Sequence, residues 1–238
     1  MPTLEHPLAG RLCVALDLSD LNQALDLARS LRGLAGLFKV GLELFTAAGP
    51  DAVRTLVGEG FQVFLDLKLH DIPATVARAA ARAKALGATY LTVHAAAGSQ
   101  ALRVACQTGP KILAVTVLTS LGSKDLKAIG LVGPTQSAVE RLGKLALDAG
   151  VSGLVCSPKE VASLRTLAQD RLLVVPGIRP AGHHPPGDDQ RRAATPAAAL
   201  RAGADILVVG RPIRSAADPK KAALAILEEL SRTLPQGS

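Results

Sequence analysis

Eight short apolar runs recur along the 238-residue chain, and their spacing limits the folds that it can adopt. Several runs are almost wholly apolar, as expected of parallel strands that are covered on both faces. Segments rich in Ala, Leu and Arg, with helical spacing, lie between them. The eight runs are residues 12–17, 37–41, 61–67, 89–94, 111–117, 152–156, 172–176 and 205–209.

Two of the intervening segments, residues 73–86 and 219–232, predict helices clearly. Each begins with a proline, Pro73 or Pro219, which suits a first helical turn because a missing N–H is tolerated there. Eight strand–helix units match a (β/α)8 TIM barrel, which typically takes about 250 residues. A doubly wound open sheet is the alternative, but no Gly-x-Gly-x-x-Gly follows the first run. No linker divides the chain, so residues 1–238 are expected to form a single α/β domain.

Composition argues against several classes of protein. Aromatic residues make up only 2% of the chain, whereas surfaces that bind single-stranded nucleic acid depend on aromatic stacking. The formal net charge is +7, but the basic residues are spread along the helical segments, so a small phosphorylated substrate explains the charge better than nucleic acid. No secretory leader pattern opens the chain and no apolar run is long enough to span a bilayer, so no membrane partner is expected.

The three cysteines, Cys13, Cys106 and Cys156, are far apart and lie among apolar neighbours. Buried reduced thiols are therefore expected, and these favour a cytoplasmic protein. The chain has no Cys-x-x-Cys pair, and its five histidines lack the spacing of metal ligands. Neither a metal site nor an organic cofactor is predicted.

Residues 64–75, FLDLKLHDIPAT, bring charged groups to the end of the third apolar run. Asp66 and Lys68 are two residues apart, so on a strand their side chains face the same way. An acid and a base in an apolar strand cost desolvation energy unless they are matched. A structural ion pair is one interpretation, and a catalytic or ligand-binding pair is the other.

The barrel prediction favours the second interpretation, because barrel active sites lie at the carboxyl ends of the strands. Asp17 ends the first run and Lys39 lies in the second, so both would join Asp66 and Lys68 in an alternating charge array. Taken as a set, the four residues favour catalysis or ligand binding over a purely structural network. His94, which ends the fourth run, is interpreted instead as a core residue or as one that lies behind the site.

The last two runs end in a different signal, PGIR at 176–179 and VVGR at 208–211. Barrels commonly bind phosphate through the loops that follow strands seven and eight. Gly210 allows close backbone approach, and Arg211 supplies a forked cationic donor. The long loop between these segments, centred on residues 180–190, predicts a lid over the barrel mouth, with a surface insertion as the alternative.

On these motifs the chain closely resembles the orotidine 5′-phosphate decarboxylase family, of the bacterial type. The Asp-x-Lys-x-x-Asp core is shared with metal-dependent sugar-phosphate enzymes, whereas Lys39, PGIR, Gln190 and VVGR in order are specific to the decarboxylases. The matching segments are ALD at 15–17, FKVGLELF at 38–45, FLDLKLHDIPATV at 64–76, TVHAAAG at 92–98, AVTVLTS at 114–120, PGIRP at 176–180, GDDQRR at 187–192 and ADILVVGRPI at 204–213.

The resemblance implies decarboxylation of orotidine 5′-phosphate to UMP, the last step of de novo pyrimidine biosynthesis. It implies that no cofactor is used and that the protein stabilises a ring carbanion electrostatically. Lys68 would protonate carbon 6, and Asp66 would lie beside the substrate carboxylate. Asp71 would complete the charge array from the partner subunit of a homodimer, together with Ile72 and Thr75.

The resemblance also implies the contacts that hold the substrate. Asp17 and Lys39 would hold the ribose hydroxyls, and Lys39 would also belong to the catalytic array. Thr119 or Ser120 would contact the edge of the pyrimidine, and Gln190 on the lid would link pyrimidine and phosphate. The residues implied at the phosphate end are Arg179, Gly210 and Arg211.

Two rival functions stay open at this point. A metal-dependent sugar-phosphate decarboxylase or aldolase of the same superfamily would need a magnesium-binding carboxylate near position 39, where this chain has Lys39. A non-catalytic nucleotide-binding barrel would keep the phosphate contacts but would not require both Asp66 and Lys68.

Overall fold

The computed structural model describes residues 5–180 and 193–233. Eight parallel strands pair in chain order, and the eighth also pairs with the first, which closes a barrel. The prediction of a (β/α)8 TIM barrel is confirmed, and the open-sheet alternative is wrong. The strands are β1 Leu12–Ala15, β2 Leu37–Val40, β3 Val63–Leu69, β4 Tyr90–His94, β5 Lys111–Val115, β6 Gly153–Val155, β7 Leu172–Val175 and β8 Ile206–Val209.

Helices follow the strands, as the apolar periodicity predicted. The two clearest predictions are confirmed, since the fourth and eleventh helices begin at Pro73 and Pro219. Within the described ranges the α-helices are α1 Leu21–Ser30, α2 Leu42–Ala48, α3 Pro50–Gly58, α4 Pro73–Ala85, α5 Ser99–Thr108, α6 Ser123–Ala128, α7 Thr135–Asp148, α8 Val161–Ala168, α9 Pro196–Arg201, α10 Arg211–Arg214 and α11 Pro219–Thr233, and the 3₁₀ turns are Ala9–Arg11, Ala95–Ala97 and Pro158–Glu160.

Alternation of side chains along the strands divides the apolar residues into two clusters. The larger cluster fills the space between the strands and the surrounding helices. The smaller one fills the barrel interior and consists of Cys13, Ala15, Leu37, Phe64, Tyr90, Leu113, Val174, Ile206 and Val208. This cluster fills the barrel interior. Inward-facing residues nearer the carboxyl ends of the strands therefore lie above it and face the barrel mouth.

None of the three cysteines forms a disulfide. Cys13 and Cys156 are buried, as expected, whereas Cys106 is only half-buried. Burial inside the barrel raises the pKa of the Cys13 thiol, so the thiol stays protonated.

Over the two described ranges, none of the helices combines the length and the apolar character needed to cross a membrane.

Candidate active site

Four charged side chains meet at the carboxyl ends of the first three strands. Lys39 Nζ lies 2.8 Å from Asp17 Oδ1 and 3.7 Å from Asp66 Oδ2. Lys68 Nζ lies 2.8 Å from the same Asp66 oxygen. Acid and base alternate along this chain of contacts, which we call the charge array (Asp17, Lys39, Asp66 and Lys68). Lys39 and Asp66 are buried, with 9% and 8% of their surface exposed, so the centre of the array is largely removed from water.

Burial opposes the charges of Asp66 and Lys39, and their partners outweigh it. Burial alone would raise the pKa of the Asp66 carboxyl, but the ammonium groups of Lys39 and Lys68 hold that pKa below its ordinary value of 3.8. Burial alone would lower the pKa of Lys39, but Asp66 and Asp17 hold it above its ordinary value of 10.5. The stabilisation from Asp66 is therefore lost as pH falls through its lowered pKa, and that from Lys39 is lost as pH rises through its raised pKa.

Lys68 reaches Asp66 from an uncommon backbone conformation. Its φ is +50°, and Gln169 is the other non-glycine residue in the described ranges with a positive φ. The pairing of β3 with β4 shifts register between Leu65 and Leu69, so β3 bulges at this point. Bulges near active sites re-aim side chains, and a non-glycine residue in the left-handed region costs about 1–3 kcal/mol. Simple alternation along β3 predicted that Asp66 and Lys68 face the same way, but not the shifted register or the positive φ at Lys68.

Thr92 on β4 joins the array through its hydroxyl, and sequence reasoning assigned it no role. The Lys68 backbone N–H donates to Thr92 Oγ1 at 2.8 Å, and Thr92 Oγ1 in turn donates to Asp66 Oδ1 at 2.9 Å. Since Thr92 is fully buried, both bonds are made without water. The signal was present in the sequence, because Thr92 stands two residues after the inward-facing Tyr90 and is therefore a hydroxyl on the inward face of an apolar strand.

Gly41, directly after β2, leaves room for one of the ion pairs. A Cβ at this position would lie 2.6 Å from Lys39 Nζ and 2.9 Å from Asp17 Oδ1. Contacts this short force atoms to move, so any larger residue at position 41 would displace the Lys39–Asp17 pair.

His94, at the end of β4, lies against the array without lining the cavity above it. Its ring stacks on that of His70, with the centroids 5.3 Å apart and the planes 24° apart. Burial, and then the charges of His70 and Lys68, lower the pKa of His94, which favours the neutral imidazole. His94 Nδ1 is buried and, among the described residues, has no hydrogen-bond partner.

An open cavity of about 700 Å³ lies over the array, within the size range of small-molecule sites. The arginines that follow β7 and β8 form its opposite wall. The predicted site residues that line it are Asp17, Lys39, Asp66, Lys68, Thr119, Arg179, Gly210 and Arg211. Lining residues that sequence reasoning did not name include Leu42, Glu43 and Arg214.

Other predicted residues lie away from this cavity. Ser120 is exposed, so of the two alternatives after β5 it is Thr119 that faces the cavity. Asp71 and Ile72 form an exposed turn before α4, in which the Asp71 carboxylate accepts the Ile72 backbone N–H at 2.6 Å. Ile72 is 66% exposed, and Thr75 lies in the first turn of α4.

Gln190 and nearly all of the predicted lid lie outside the described residues, so the roles given to them stay predictions. The two ends of that loop are described. The Arg179 backbone N–H donates to the Ala194 carbonyl at 2.9 Å, and the Ala194 N–H donates to the Gly177 carbonyl at 3.3 Å. Gly177 has a φ of +76°, a conformation that favours glycine.

Comparison with known proteins places the chain in a well-populated family. A profile of the "Orotidine 5'-phosphate decarboxylase / HUMPS family" matches residues 10–226. A protein of Anaeromyxobacter sp. (strain K) named orotidine 5'-phosphate decarboxylase is 54% identical over 220 residues, which are 91% of this chain and 96% of that protein. A protein of the same name from Thermobifida fusca is 48% identical over 95% of this chain and 98% of its own length.

A solved structure is similar over the same extent. The crystal structure of orotidine 5'-phosphate decarboxylase from Lactobacillus acidophilus superposes with a TM-score of 0.81 at 39% sequence identity. The superposition covers 92% of this chain and 98% of the other. The similarity therefore extends over both the barrel and its mouth.

The hydroxyl of Thr92 should stabilise the ionised array. Thr92→Val keeps the shape of the side chain but leaves Asp66 Oδ1 without its donor, so the pKa of Asp66 should rise. We expect the free energy of unfolding at pH 7 to fall by about 1–3 kcal/mol. This deficit should shrink as pH falls through the lowered pKa of Asp66, because the carboxyl is then protonated in both proteins. Urea unfolding at several pH values measures it.

Thr116→Val is the matched control. Thr116 is also buried, but its hydroxyl donates to the Val155 carbonyl at 3.1 Å and, within the described ranges, makes no hydrogen bond to a charged group. Its loss should cost stability equally at pH 7 and at acid pH, and Thr92→Ser should largely restore the array. A deficit of Thr92→Val that is independent of pH would contradict the role given to its hydroxyl.

Proposed function

The chain belongs to the orotidine 5′-phosphate decarboxylase / HUMPS family, and from that premise we propose that it forms UMP from orotidine 5′-phosphate without a metal or an organic cofactor. It is a carboxy-lyase, since its curated relatives at up to 55% identity over most of the chain are named for that activity. The proposed mechanism rests on the buried charge array, which holds Lys68 at a cavity whose opposite wall is lined by arginines.

The distribution of charge in the cavity supports one orientation of the substrate. The phosphate would lie at Arg179, Gly210 and Arg211, where arginine supplies forked donors and glycine allows close backbone approach. The pyrimidine would then extend toward Lys68 and Asp66 on β3. Lys39 on β2 and Asp17, just after β1, would hold the ribose hydroxyls, and Thr119 would meet the pyrimidine edge.

The reaction needs stabilisation of negative charge on a ring carbon. When the bond between carbon 6 and the carboxylate breaks, carbon dioxide leaves and the electron pair stays on carbon 6. The Lys68 ammonium, held by Asp66 Oδ2 at 2.8 Å, would stabilise that charge and then give its proton to carbon 6. Because Lys68 is fixed on a strand and by an ion pair, little reorganisation would be needed during the reaction.

The metal-dependent rival is less well supported by the charge array. Lys39 occupies the position where that rival would need a carboxylate, and it already pairs with Asp17 and Asp66. In the part of the chain that the structure describes, no group of three His, Cys, Asp or Glu side chains could hold a metal ion. A non-catalytic nucleotide-binding barrel would have no use for the strained backbone that brings Lys68 to Asp66.

The positions of Asp71, Ile72 and Thr75 support a composite site in a homodimer. All three follow β3, yet none lines the cavity into which Lys68 projects. Ile72 is a large apolar side chain that is 66% exposed in the single chain, as expected of a residue buried by a partner. A two-fold axis would carry the Asp71 turn of each chain to the array of the other.

We expect turnover to be independent of added metal. Protein dialysed exhaustively against EDTA should consume orotidine 5′-phosphate at the undialysed rate, measured as loss of absorbance at the orotate band. The negative charge of the substrate, which a metal ion could neutralise, would instead be neutralised by Lys68 and the arginines of the cavity wall. Activity that disappears on dialysis and returns with magnesium would favour the metal-dependent rival, and no activity before dialysis would favour a binding protein.

Lys68→Ala should lower turnover by several orders of magnitude. The loss should exceed the roughly 10²–10⁴-fold of a general acid alone, because the stabilising cation is removed as well. Lys68→Gly should lower turnover to a similar extent, and glycine adopts the left-handed backbone conformation without strain. The measured stability of Lys68→Gly shows whether the variant is folded.

Lys111→Ala is the matched control for that loss. Lys111 also lies on a barrel strand, at the opposite end, over the ring of Tyr90. Its removal should leave turnover within a few-fold of the original. Near-normal turnover of folded Lys68→Gly would exclude Lys68 as proton donor.

Mixing variants tests the composite site. Lys68→Ala and Asp71→Ala proteins, each nearly inactive alone, are combined in equal amounts under conditions that allow subunit exchange. A mixed dimer has one site with both substitutions and one with neither. Random exchange makes about half of the dimers mixed, so roughly a quarter of the original activity should return, measured by the same absorbance assay.

A second mixture measures the loss of activity rather than its recovery. The Lys68→Ala/Asp71→Ala double variant, combined with an equal amount of the original protein, should leave about a quarter of full activity if sites are shared, since both sites of a mixed dimer are then damaged. About half would remain if each chain used its own Asp71. That result, or no recovery in the first mixture, would exclude the shared site.

A further inference from the structure

Two stacked histidines join the short connection between β3 and α4 to the neighbouring strand. The connection, residues 70–72, carries Asp71, whose carboxylate accepts the Ile72 backbone N–H at 2.6 Å. The His70 ring stacks on that of His94, with the centroids 5.3 Å apart and the planes 24° apart. The hydrogen bond is internal to the connection, whereas the stack links it to β4.

The shifted register between β3 and β4 places the two rings side by side. After the shift, Leu69 pairs with Val93, and the residues that follow them are His70 and His94. Side chains at neighbouring positions of paired strands interact directly. Pairing continued in the earlier register would set His70 opposite Ala96, which has no ring to stack.

His94 is the more firmly anchored member of the pair. It ends β4 and pairs with Val115 of β5, whereas His70 is exposed. Burial and the charges of His70 and Lys68 lower the pKa of His94, so its neutral ring adds no cation beside Lys68. His94 does not line the cavity, so it does not act on a substrate directly.

We propose that His70 and His94 are positioning residues, whose stack holds the turn that presents Asp71 to the charge array of the active site. The inference rests on the proposed function for the role of Asp71. Asp71 and Ile72 are both exposed in the single chain, so little packing within it holds the turn. Charged groups at an active site act only when they are held close to their productive positions.

A double-substitution cycle tests whether the stack acts through Asp71. His70→Ala removes the stack without opening the core, and kcat/KM for orotidine 5′-phosphate should fall roughly 10- to 100-fold, as for a displaced active-site group. In an Asp71→Ala background the same change should cost less than about twofold, because the turn then carries no carboxylate to position. In an Arg211→Ala background, on the opposite wall of the cavity, the full loss should persist.

Three further variants serve as controls. His70→Phe keeps a flat ring over His94 and should retain kcat/KM within about threefold. His94→Ala should reproduce His70→Ala in every background. His6→Ala removes a half-buried imidazole that accepts the Leu8 backbone N–H near the opposite end of the barrel, and it should leave activity unchanged.

Hydrogen exchange of the Ile72 amide reports the order of the turn without any turnover. Because Asp71 accepts this N–H, exchange should be roughly 10-fold faster in His70→Ala and unchanged in His6→Ala. Unchanged exchange in folded His70→Ala would overturn the inference. Full activity of that variant, or an equal loss in the original and Asp71→Ala backgrounds, would overturn it as well.

The proposed shared site fails separately from this inference. His70→Ala mixed with an equal amount of Lys68→Ala should return roughly a quarter of the original activity if the turn serves the partner's site. No recovery, combined with a loss that disappears in the Asp71→Ala background, would retain the positioning role and place Asp71 at the site of its own chain. A protein without decarboxylase activity would lose the proposed function, and the exchange measurement would then decide whether the stack holds the turn.

Discussion

The Asp66 carboxylate stays ionised inside the barrel because it is surrounded on every polar side. Lys68 and Thr92 each donate to one of its oxygens, and Lys39 lies 3.7 Å away. Removing any one of these leaves a buried charge without full compensation, which is far more costly than losing an exposed ion pair. The irregular pairing of β3 lies where Lys68 meets this carboxylate, and the glycine after β2 leaves room for the neighbouring Lys39–Asp17 pair.

Barrel topology explains why a balanced array and a basic wall face each other. The first three strands and the last two are adjacent through the pairing of β1 with β8, so their carboxyl ends border a single cavity. On one side Asp17 and Asp66 are paired with Lys39 and Lys68, while the arginines on the other side favour an anion. Under the proposed function, a substrate with a phosphate at one end would be held in one direction, with its other end at Lys68.

The sequence was sufficient to predict the features that depend on periodicity. The eight apolar runs correspond to the eight strands, and motif order placed Lys39, Asp66 and Arg211 at the carboxyl ends. What it could not predict depends on contacts between distant segments. The bulge at Lys68 arises from the pairing of β3 with β4, and the choice of Thr119 over Ser120 depends on how the loop after β5 turns. The bonds of Thr92 depend on burial and on the neighbouring strand, which no single sequence displays.

The left-handed backbone at Lys68 sets a limit on how this chain can change. Glycine and asparagine adopt that conformation most readily, and neither carries a cation. Every substitution that would relax the backbone therefore removes the ammonium group, so local stability and chemistry are opposed at one residue. Glycine at this position would relieve the backbone but would leave the buried Asp66 carboxylate without one of its two cations. A lysine retained there means that the chain accepts local strain in exchange for a fixed charge, and thermostable designs of this barrel should leave that strain in place and seek stability elsewhere.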